Sequence, residues 1–241
     1  MARKVRQKNA NHIKEQKRQS FEKSLVLENV RPKTENQKKI FNQYFEKKHI
    51  LVHGLPGTGK TFISLYLALK DLLSDSKIER VIIIRSAVSA RELGFMPGSA
   101  RDKMRAYEEP YYEICSRLFD RDDAYTQLKM RKMVDFSPTS FLRGLTFENC
   151  VVIVDEVQNL NDHEISTVIT RMGQNSRIIF CGDFRQSDFA TKGQEESGIG
   201  NLFKTIRLMP SFTHVEMGIN DIVRSGIVRE YLEARTELGL I

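Results

Sequence analysis

Short apolar runs alternate along this chain with longer segments in which apolar residues recur every three or four positions. The runs are rich in β-branched residues, and four of them end at His53, Arg85, Asp155 and Gly182, each before a polar loop. Strands are predicted near 50–53, 81–85, 134–136, 151–154, 178–181 and 213–217, and helices near 35–47, 60–74, 108–119, 162–172 and 222–236. Because strands that alternate with helices pair in parallel, the pattern predicts an α/β fold: a mostly parallel sheet with helices on both faces, a three-layer sandwich.

The segment 86–132 departs from this alternation and is too long for a simple crossover. We interpret it as an elaboration on one core domain that spans residues 25–241, since a chain of 241 residues suits a single domain. Its basic residues and its tyrosines at 107, 111 and 112 fit a polynucleotide channel, an oligomer interface or core packing.

The net charge of +7 is concentrated at the N-terminus. Residues 1–24 contain eight Lys or Arg against two Glu, whereas residues 25–241 are nearly neutral. This segment has too few apolar residues to form a core, so we expect a flexible basic arm. Such an arm can bind the phosphates of RNA or DNA, and the alternative is a solubilising leader.

Several classes of protein are excluded or disfavoured by the sequence. The longest aliphatic runs, 81–84 and 151–154, are only four residues long, far below the roughly 20 that a membrane-spanning helix needs. No apolar stretch follows the basic N-terminus as in a signal peptide, so we expect a cytoplasmic protein without a membrane partner. Cys115, Cys150 and Cys181 lack C-x-x-C spacing, which favours buried, reduced thiols.

Residues 54–61 match the phosphate-binding pattern G-x-x-x-x-G-K-[ST] between a predicted strand and a predicted helix. Glycines let backbone N–H groups surround phosphates at the start of a helix. Lys60 is expected to reach the β- and γ-phosphates, and the Thr61 hydroxyl to ligate Mg²⁺. The expected nucleotide-binding residues are Gly54, Leu55, Pro56, Gly57, Thr58, Gly59, Lys60 and Thr61.

Two further strand ends carry polar residues. The apolar run 151–154 leads to Asp155, an expected Mg²⁺ ligand, and to Glu156, a candidate base for the attacking water. The run that ends at Gly182 is followed by Asp183 and Gln186, either of which could sense the γ-phosphate. Since the carboxyl ends of parallel strands face one crevice, these residues and the P-loop should form one site.

These residues resemble the PhoH-like ATPases, whose core is similar to the RecA-like first domain of superfamily-1 helicases. The resemblance covers most of 31–236. It rests on the P-loop and on TENQ at 34–37, RSAV at 85–88, LGFMPG at 93–98, FLRGLT at 141–146, DEVQN at 155–159, GDFRQ at 182–186 and DIVR at 221–224. It implies a RecA-like P-loop fold that binds ATP and Mg²⁺.

The resemblance also implies roles for residues outside the P-loop. Gln37 would recognise the adenine edge, although it could be only an exposed helix residue. Hydrolysis needs a guanidinium near the γ-phosphate, and Arg224, then Arg171 and Arg143, are the candidates for an arginine donated by a neighbouring subunit. We therefore expect a ring-shaped homo-oligomer, a hexamer as the resemblance implies.

Three functions fit the sequence to different degrees. The leading hypothesis is an ATPase coupled to binding or translocation of RNA or single-stranded DNA, as in helicases. An ATP-gated oligomeric scaffold with slow hydrolysis would use the same binding residues. A nucleoside kinase shares the P-loop and the Asp-Glu-x-Gln strand end, but kinases of this kind carry a cysteine-rich zinc segment for which this sequence has no cysteine pair.

Overall fold

The chain folds around a parallel sheet in a computed structural model that describes residues 25–86, 100–142, 144–183, 198–224 and 226–239. The basic arm predicted at 1–24 lies outside the described residues, as do 87–99 in the predicted elaboration and 184–197 after the strand that ends at Gly182.

Six strands make up the described sheet, in the order β3-β2-β4-β5-β1-β6, and every adjacent pair is parallel. The strands are β1 His49–Gly54, β2 Arg80–Arg85, β3 Val134–Pro138, β4 Cys150–Val154, β5 Arg177–Gly182 and β6 Phe212–Met217. A parallel sheet covered on both faces favours continuous apolar strands, and β4, with the sequence CVVIV, is buried along its whole length. The order places β5 between the P-loop strand β1 and β4.

Helices cover both faces of the sheet. They are α1 Glu35–Phe45, α2 Lys60–Ser74, α3 Ala100–Phe119, α4 Ala124–Met130, α5 Asp162–Ile169, α6 Ile199–Ile206 and α7 Gly226–Glu237. Helices α1 to α4 share one hydrophobic core with one face of the sheet, and α5 and α6 share a second core with the other face. Short 3-10 turns occur at Thr139–Phe141, Val157–Asn159 and Ile219–Asp221.

The predicted α/β three-layer fold is confirmed, and all six predicted strands are present. Three differences concern helices. The predicted helix at 108–119 begins at Ala100, the one predicted at 222–236 begins only at Gly226, and helices α4 and α6 were not predicted. Those two helices have only seven and eight residues, so each offers little periodic pattern. Helix α5 also has eight residues and was predicted, but as the longer range 162–172.

No helix in the described part of the chain is long and apolar enough to cross a membrane. The smallest described core consists of Leu55, Ile222 and Leu232, which pack α7 against the P-loop. This contact brings the segment after β6 to the edge of the sheet where the P-loop lies.

Candidate nucleotide-binding and hydrolytic site

A cavity of about 600 Å³ lies at the carboxyl edge of the sheet. The predicted site residues that line it include Lys60, Thr61, Asp155, Glu156, Asp183 and Arg224. The sheet order explains the convergence, because β4, β5 and β1 are neighbours and all end at this edge.

Glycines fix the shape of the P-loop. Gly54 has a φ of 125°, and a Cβ added there would lie 2.1 Å from the carbonyl oxygen of Met217 in β6. Gly59 has a φ of 84° at the start of α2, a left-handed conformation that glycine adopts without strain. The buried Thr58 hydroxyl donates to the carbonyl of Leu55 at 2.9 Å. The loop is therefore held in shape by its own backbone and by β6.

Lys60 points back into this loop. Its ammonium group donates to the carbonyl oxygens of Gly54 at 2.6 Å and Leu55 at 2.8 Å. Burial of the ammonium group lowers the pKa of Lys60, and the charge of Asp183 opposes that shift. Phosphate oxygens that enter the cavity can replace the two carbonyls as acceptors.

Thr61 and Asp155 form the candidate Mg²⁺ site. The Thr61 hydroxyl donates to Asp155 Oδ1 at 2.9 Å, and Asp155 is only 5% exposed. A hydroxyl and a carboxylate are hard oxygen donors, which Mg²⁺ prefers together with water and phosphate oxygens. Among the described residues, no group of three or more His, Cys, Asp or Glu is arranged to hold a metal ion by itself. The two side chains fit a cation that arrives with a nucleotide.

Tyr111 in α3 holds the other oxygen of Asp155, a contact that the sequence did not reveal. Its hydroxyl donates to Asp155 Oδ2 at 2.8 Å, and the residue is fully buried. Burial and the neighbouring Asp155 charge raise the pKa of Tyr111 well above its usual value, so the hydroxyl remains a donor. Spacing gives no signal for this contact, since the two residues are 44 positions apart.

Glu156 occupies a strained backbone position beside the P-loop. Its φ of 53° lies in the left-handed region, which non-glycine residues seldom adopt and which occurs often at functional sites. Its carboxylate accepts a hydrogen bond from Gln158 Nε2 at 2.6 Å and faces the Arg85 guanidinium at 3.9 Å. Partial burial and the charge of Asp155 raise the pKa of Glu156, which favours a role as a proton acceptor near neutral pH.

Gln158 links two strand ends in this site. While its Nε2 donates to Glu156, its Oε1 accepts from the backbone N–H of Asp183 at 3.0 Å. A Cβ added at Gly182 would lie 2.5 Å from that same Oε1. The end of β5 is therefore connected to the candidate base by one buried side chain. Gln158 belongs to the DEVQN motif, but the sequence alone predicted no role for it.

Gln37 is not an exposed helix residue, because only 3% of it is accessible. Its Nε2 donates to the carbonyl of Thr58 at 3.1 Å, and its Oε1 accepts from the backbone N–H of Lys33 at 2.7 Å. The side chain lies at the cavity wall beside the P-loop. Recognition of adenine by Gln37 stays a prediction, and the contact with Thr58 shows that the residue also supports the loop.

The candidate arginines lie in different places. Arg224 lines the cavity of its own chain, and a Cβ added at Gly57 would lie 2.9 Å from its Cγ. Arg171 donates from Nε to the carbonyl of Leu142 at 2.6 Å and from a terminal nitrogen to that of Thr167 at 3.4 Å, so it fastens a loop to α5. Arg143 and Gln186 lie outside the described residues.

Comparison with known proteins identifies the family. Residues 29–235 match the family described as PhoH-like protein. The chain belongs to this family. It is 30% identical over 227 residues to a PhoH-like protein of Synechocystis sp., with 92% of this chain and 68% of the relative covered. It is 33% identical over 192 residues to Protein PhoH of Escherichia coli, with 78% and 53% covered. The chain thus spans between about half and two thirds of these curated relatives.

A solved structure has a fold similar to that of this PhoH-like chain. The large terminase of a thermophilic bacteriophage superposes with a TM-score of 0.51 and 12% sequence identity, covering 84% of this chain and 50% of the terminase. At that identity the similarity concerns the fold alone.

Proposed function

We propose that this PhoH-like chain hydrolyses ATP with the aid of Mg²⁺ and couples hydrolysis to binding of RNA or single-stranded DNA. One observation carries the proposal: Lys60, the Thr61–Asp155 pair and Glu156 line one cavity at the end of a P-loop. Phosphate binding, cation binding and a proton acceptor are the three elements that ATP hydrolysis needs.

Each side chain has a distinct task in the proposed reaction. Lys60 exchanges the carbonyls of Gly54 and Leu55 for phosphate oxygens, and the loop N–H groups bind the remaining ones. Thr61 and Asp155 would hold Mg²⁺, which when bound neutralises charge that develops on the phosphates. Glu156 accepts a proton from the water that attacks the γ-phosphorus, and ADP leaves.

The proposed coupling to polynucleotides rests on charge and on the helicase resemblance. The basic residues of 1–24 are suited to phosphate contacts that release counterions. Helix α3 lies within the predicted elaboration and carries Tyr111, which contacts Asp155. A polynucleotide bound near that elaboration has a physical route to the metal-binding carboxylate.

A ring-shaped homo-oligomer, a hexamer by resemblance, is the assembly that we propose. Two exposed apolar surfaces at the carboxyl edge support it: the α7 face, formed by Ile227 and Tyr231 beyond β6, and the β3-end patch, formed by Phe141 and Leu145 after β3. β3 and β6 are the outermost strands on the two opposite sides of the described sheet. Contact between two different surfaces is the head-to-tail arrangement that closes rings.

In this assembly Arg224 and Arg143 have different roles. Arg224 lies at the cavity of its own chain, so we assign it to its own phosphates. Arg143 lies between Phe141 and Leu145 in the sequence, so a contact through the β3-end patch favours it as the arginine donated to a neighbour. The finger supplied by the next subunit is then Arg143 rather than Arg224.

Steady-state ATP hydrolysis tests the proposed function. The purified chain is assayed alone, with single-stranded RNA and with single-stranded DNA, beside Lys60→Ala. We expect turnover that rises with polynucleotide and falls about 100-fold or more in Lys60→Ala, because a cation on the transferred phosphate is lost. Lys60-dependent turnover that ignores both polynucleotides would favour the ATP-gated scaffold instead. Absence of ATP binding and turnover would refute both.

A further inference from the structure

Helix α3 contacts the candidate metal site through one side chain. Tyr111 donates to Asp155 Oδ2 at 2.8 Å, while the Thr61 hydroxyl of α2 donates to Asp155 Oδ1 at 2.9 Å. Both oxygens of one buried carboxylate are thus bound, each by a hydroxyl from a different helix.

We propose that Tyr111 is a positioning residue for Asp155. It binds the oxygen on the side away from Thr61, which fixes the carboxylate in the rotation that presents Oδ1, together with the Thr61 hydroxyl, to the cation that accompanies the nucleotide. The inference rests on the proposed function, and it adds a residue that the P-loop and strand-end motifs do not include.

The physical reason is the rotational freedom of a carboxylate. The terminal torsion of Asp is broad, so the plane of the carboxylate can rotate, and the direction in which an oxygen faces the cavity can change, unless both oxygens have partners. The Tyr111 hydroxyl on Oδ2 and the Thr61 hydroxyl on Oδ1 together restrain that plane. Outer partners that orient a metal ligand commonly change metal affinity by 10- to 100-fold when removed.

The surroundings of Tyr111 make the hydroxyl a rigid donor. Its ring lies 6.4 Å from the ring of Tyr125 and 5.9 Å from that of Phe136 in β3, measured between centroids. These contacts hold the ring without help from the hydroxyl. Tyr111→Phe therefore removes the hydrogen bond to Asp155 and retains the packing.

The same helix layer offers a matched control. Tyr125 is also fully buried, and its hydroxyl donates to Glu108 at 3.0 Å rather than to Asp155. Tyr125→Phe removes a buried tyrosine hydroxyl bonded to a carboxylate but leaves the candidate metal site intact. Any effect common to both variants reports packing or stability.

The test measures nucleotide binding rather than turnover. A fluorescent, non-hydrolysable ATP analogue is titrated against the wild-type chain, Tyr111→Phe, Tyr125→Phe and Asp155→Asn, once with Mg²⁺ and once in chelator. The dissociation constant in chelator divided by the dissociation constant with Mg²⁺ measures how much Mg²⁺ strengthens binding. We expect this ratio to fall about 10-fold in Tyr111→Phe, to fall further in Asp155→Asn, and to stay at the wild-type value in Tyr125→Phe.

The possible results separate the two proposals. A wild-type ratio in Tyr111→Phe, or an equal fall in Tyr125→Phe, would overturn the positioning role. Equal weakening of binding with and without Mg²⁺ would also overturn it, because the hydroxyl would then support the fold and not the cation site. If the wild-type chain binds the analogue in neither condition, the proposed function itself fails.

Discussion

At the scale of single residues, Glu156 combines backbone strain with a perturbed carboxyl. Its left-handed backbone costs on the order of 1 kcal/mol, and Gln158 and Arg85 hold its side chain from either side. A partly buried carboxylate beside Asp155 is easier to protonate than an ordinary glutamate, which is the direction in which its pKa moves. Strain and pKa together identify Glu156 as the chemically distinctive residue of the site.

We predict that Glu156→Gln lowers turnover by about 100- to 10,000-fold, the usual contribution of a general base, with ATP affinity retained. In the wild-type chain the basic form is lost as pH falls through the raised pKa, so the acid limb of kcat/KM should lie above the usual glutamate range. The raised pKa means that the folded state disfavours the charged carboxylate of Glu156. The contribution of Glu156 to the free energy of unfolding therefore falls as pH rises through that pKa. Glu156→Gln should therefore unfold no more easily than wild type in mildly alkaline buffer.

The pH profile of kcat/KM and thermal unfolding at several pH values measure both effects. Glu148→Gln is the control, because Glu148 is an exposed carboxylate away from the cavity and should leave the profile unchanged. An acid limb that persists unchanged in the residual activity of Glu156→Gln would show that another group controls it.

At the scale of elements, the sequence was sufficient to predict those parts of the candidate site whose shape depends on local geometry. The P-loop and the end of β4 were predicted because glycine positions and an apolar run specify a strand, a turn and a helix within a few residues. The contacts of Tyr111 and Gln158 were not predicted. They depend on how α3 and the end of β5 pack across the sheet, and no periodicity encodes that packing. The position of Arg224 at its own cavity likewise depends on α7 packing against Leu55.

The junction of β5 with Gln158 gives a prediction at this scale. A methyl group at Gly182 would lie 2.5 Å from Gln158 Oε1 and 2.7 Å from Val157 Cγ1, so Gly182→Ala must displace the link between Asp183 and Glu156. We expect a loss of about 1–3 kcal/mol in the free energy of unfolding, typical of overpacking, and reduced turnover. Denaturant unfolding and the ATPase assay measure the two effects.

Gly200→Ala is the matched control for Gly182→Ala. It lies in α6, and an added Cβ meets nothing within 4 Å, so alanine should stabilise the chain by up to about 1 kcal/mol through helix propensity. Equal stability of Gly182→Ala and wild type would mean that Gln158 has room to move, and the proposed link would not be rigid.

At the scale of the whole molecule, the described surface has exposed apolar side chains beside both outermost strands of the sheet, β3 and β6. Ile227 on the α7 face is 71% exposed and Phe141 in the β3-end patch is 70% exposed. Large exposed apolar residues that cluster mark sites of association. Leu208 is even more exposed, at 85%, but precedes β6 at the amino edge of the sheet, which makes it a control of matched chemistry.

We predict that Ile227→Glu and Phe141→Glu each break the proposed ring, whereas Leu208→Glu does not. A charge buried at the centre of an interface should weaken association about 30-fold or more, from roughly 2 kcal/mol per anchor residue. Light scattering after size exclusion measures the mass, and circular dichroism checks that each variant is folded.

Because a head-to-tail contact joins two different surfaces, a mixture of the two disrupted variants retains one intact pair and should form dimers and nothing larger. Mixtures that remain monomeric would contradict the pairing of these two surfaces, a contact between identical surfaces would leave one of the two variants associated by itself, and a wild-type chain that is monomeric throughout would contradict the ring.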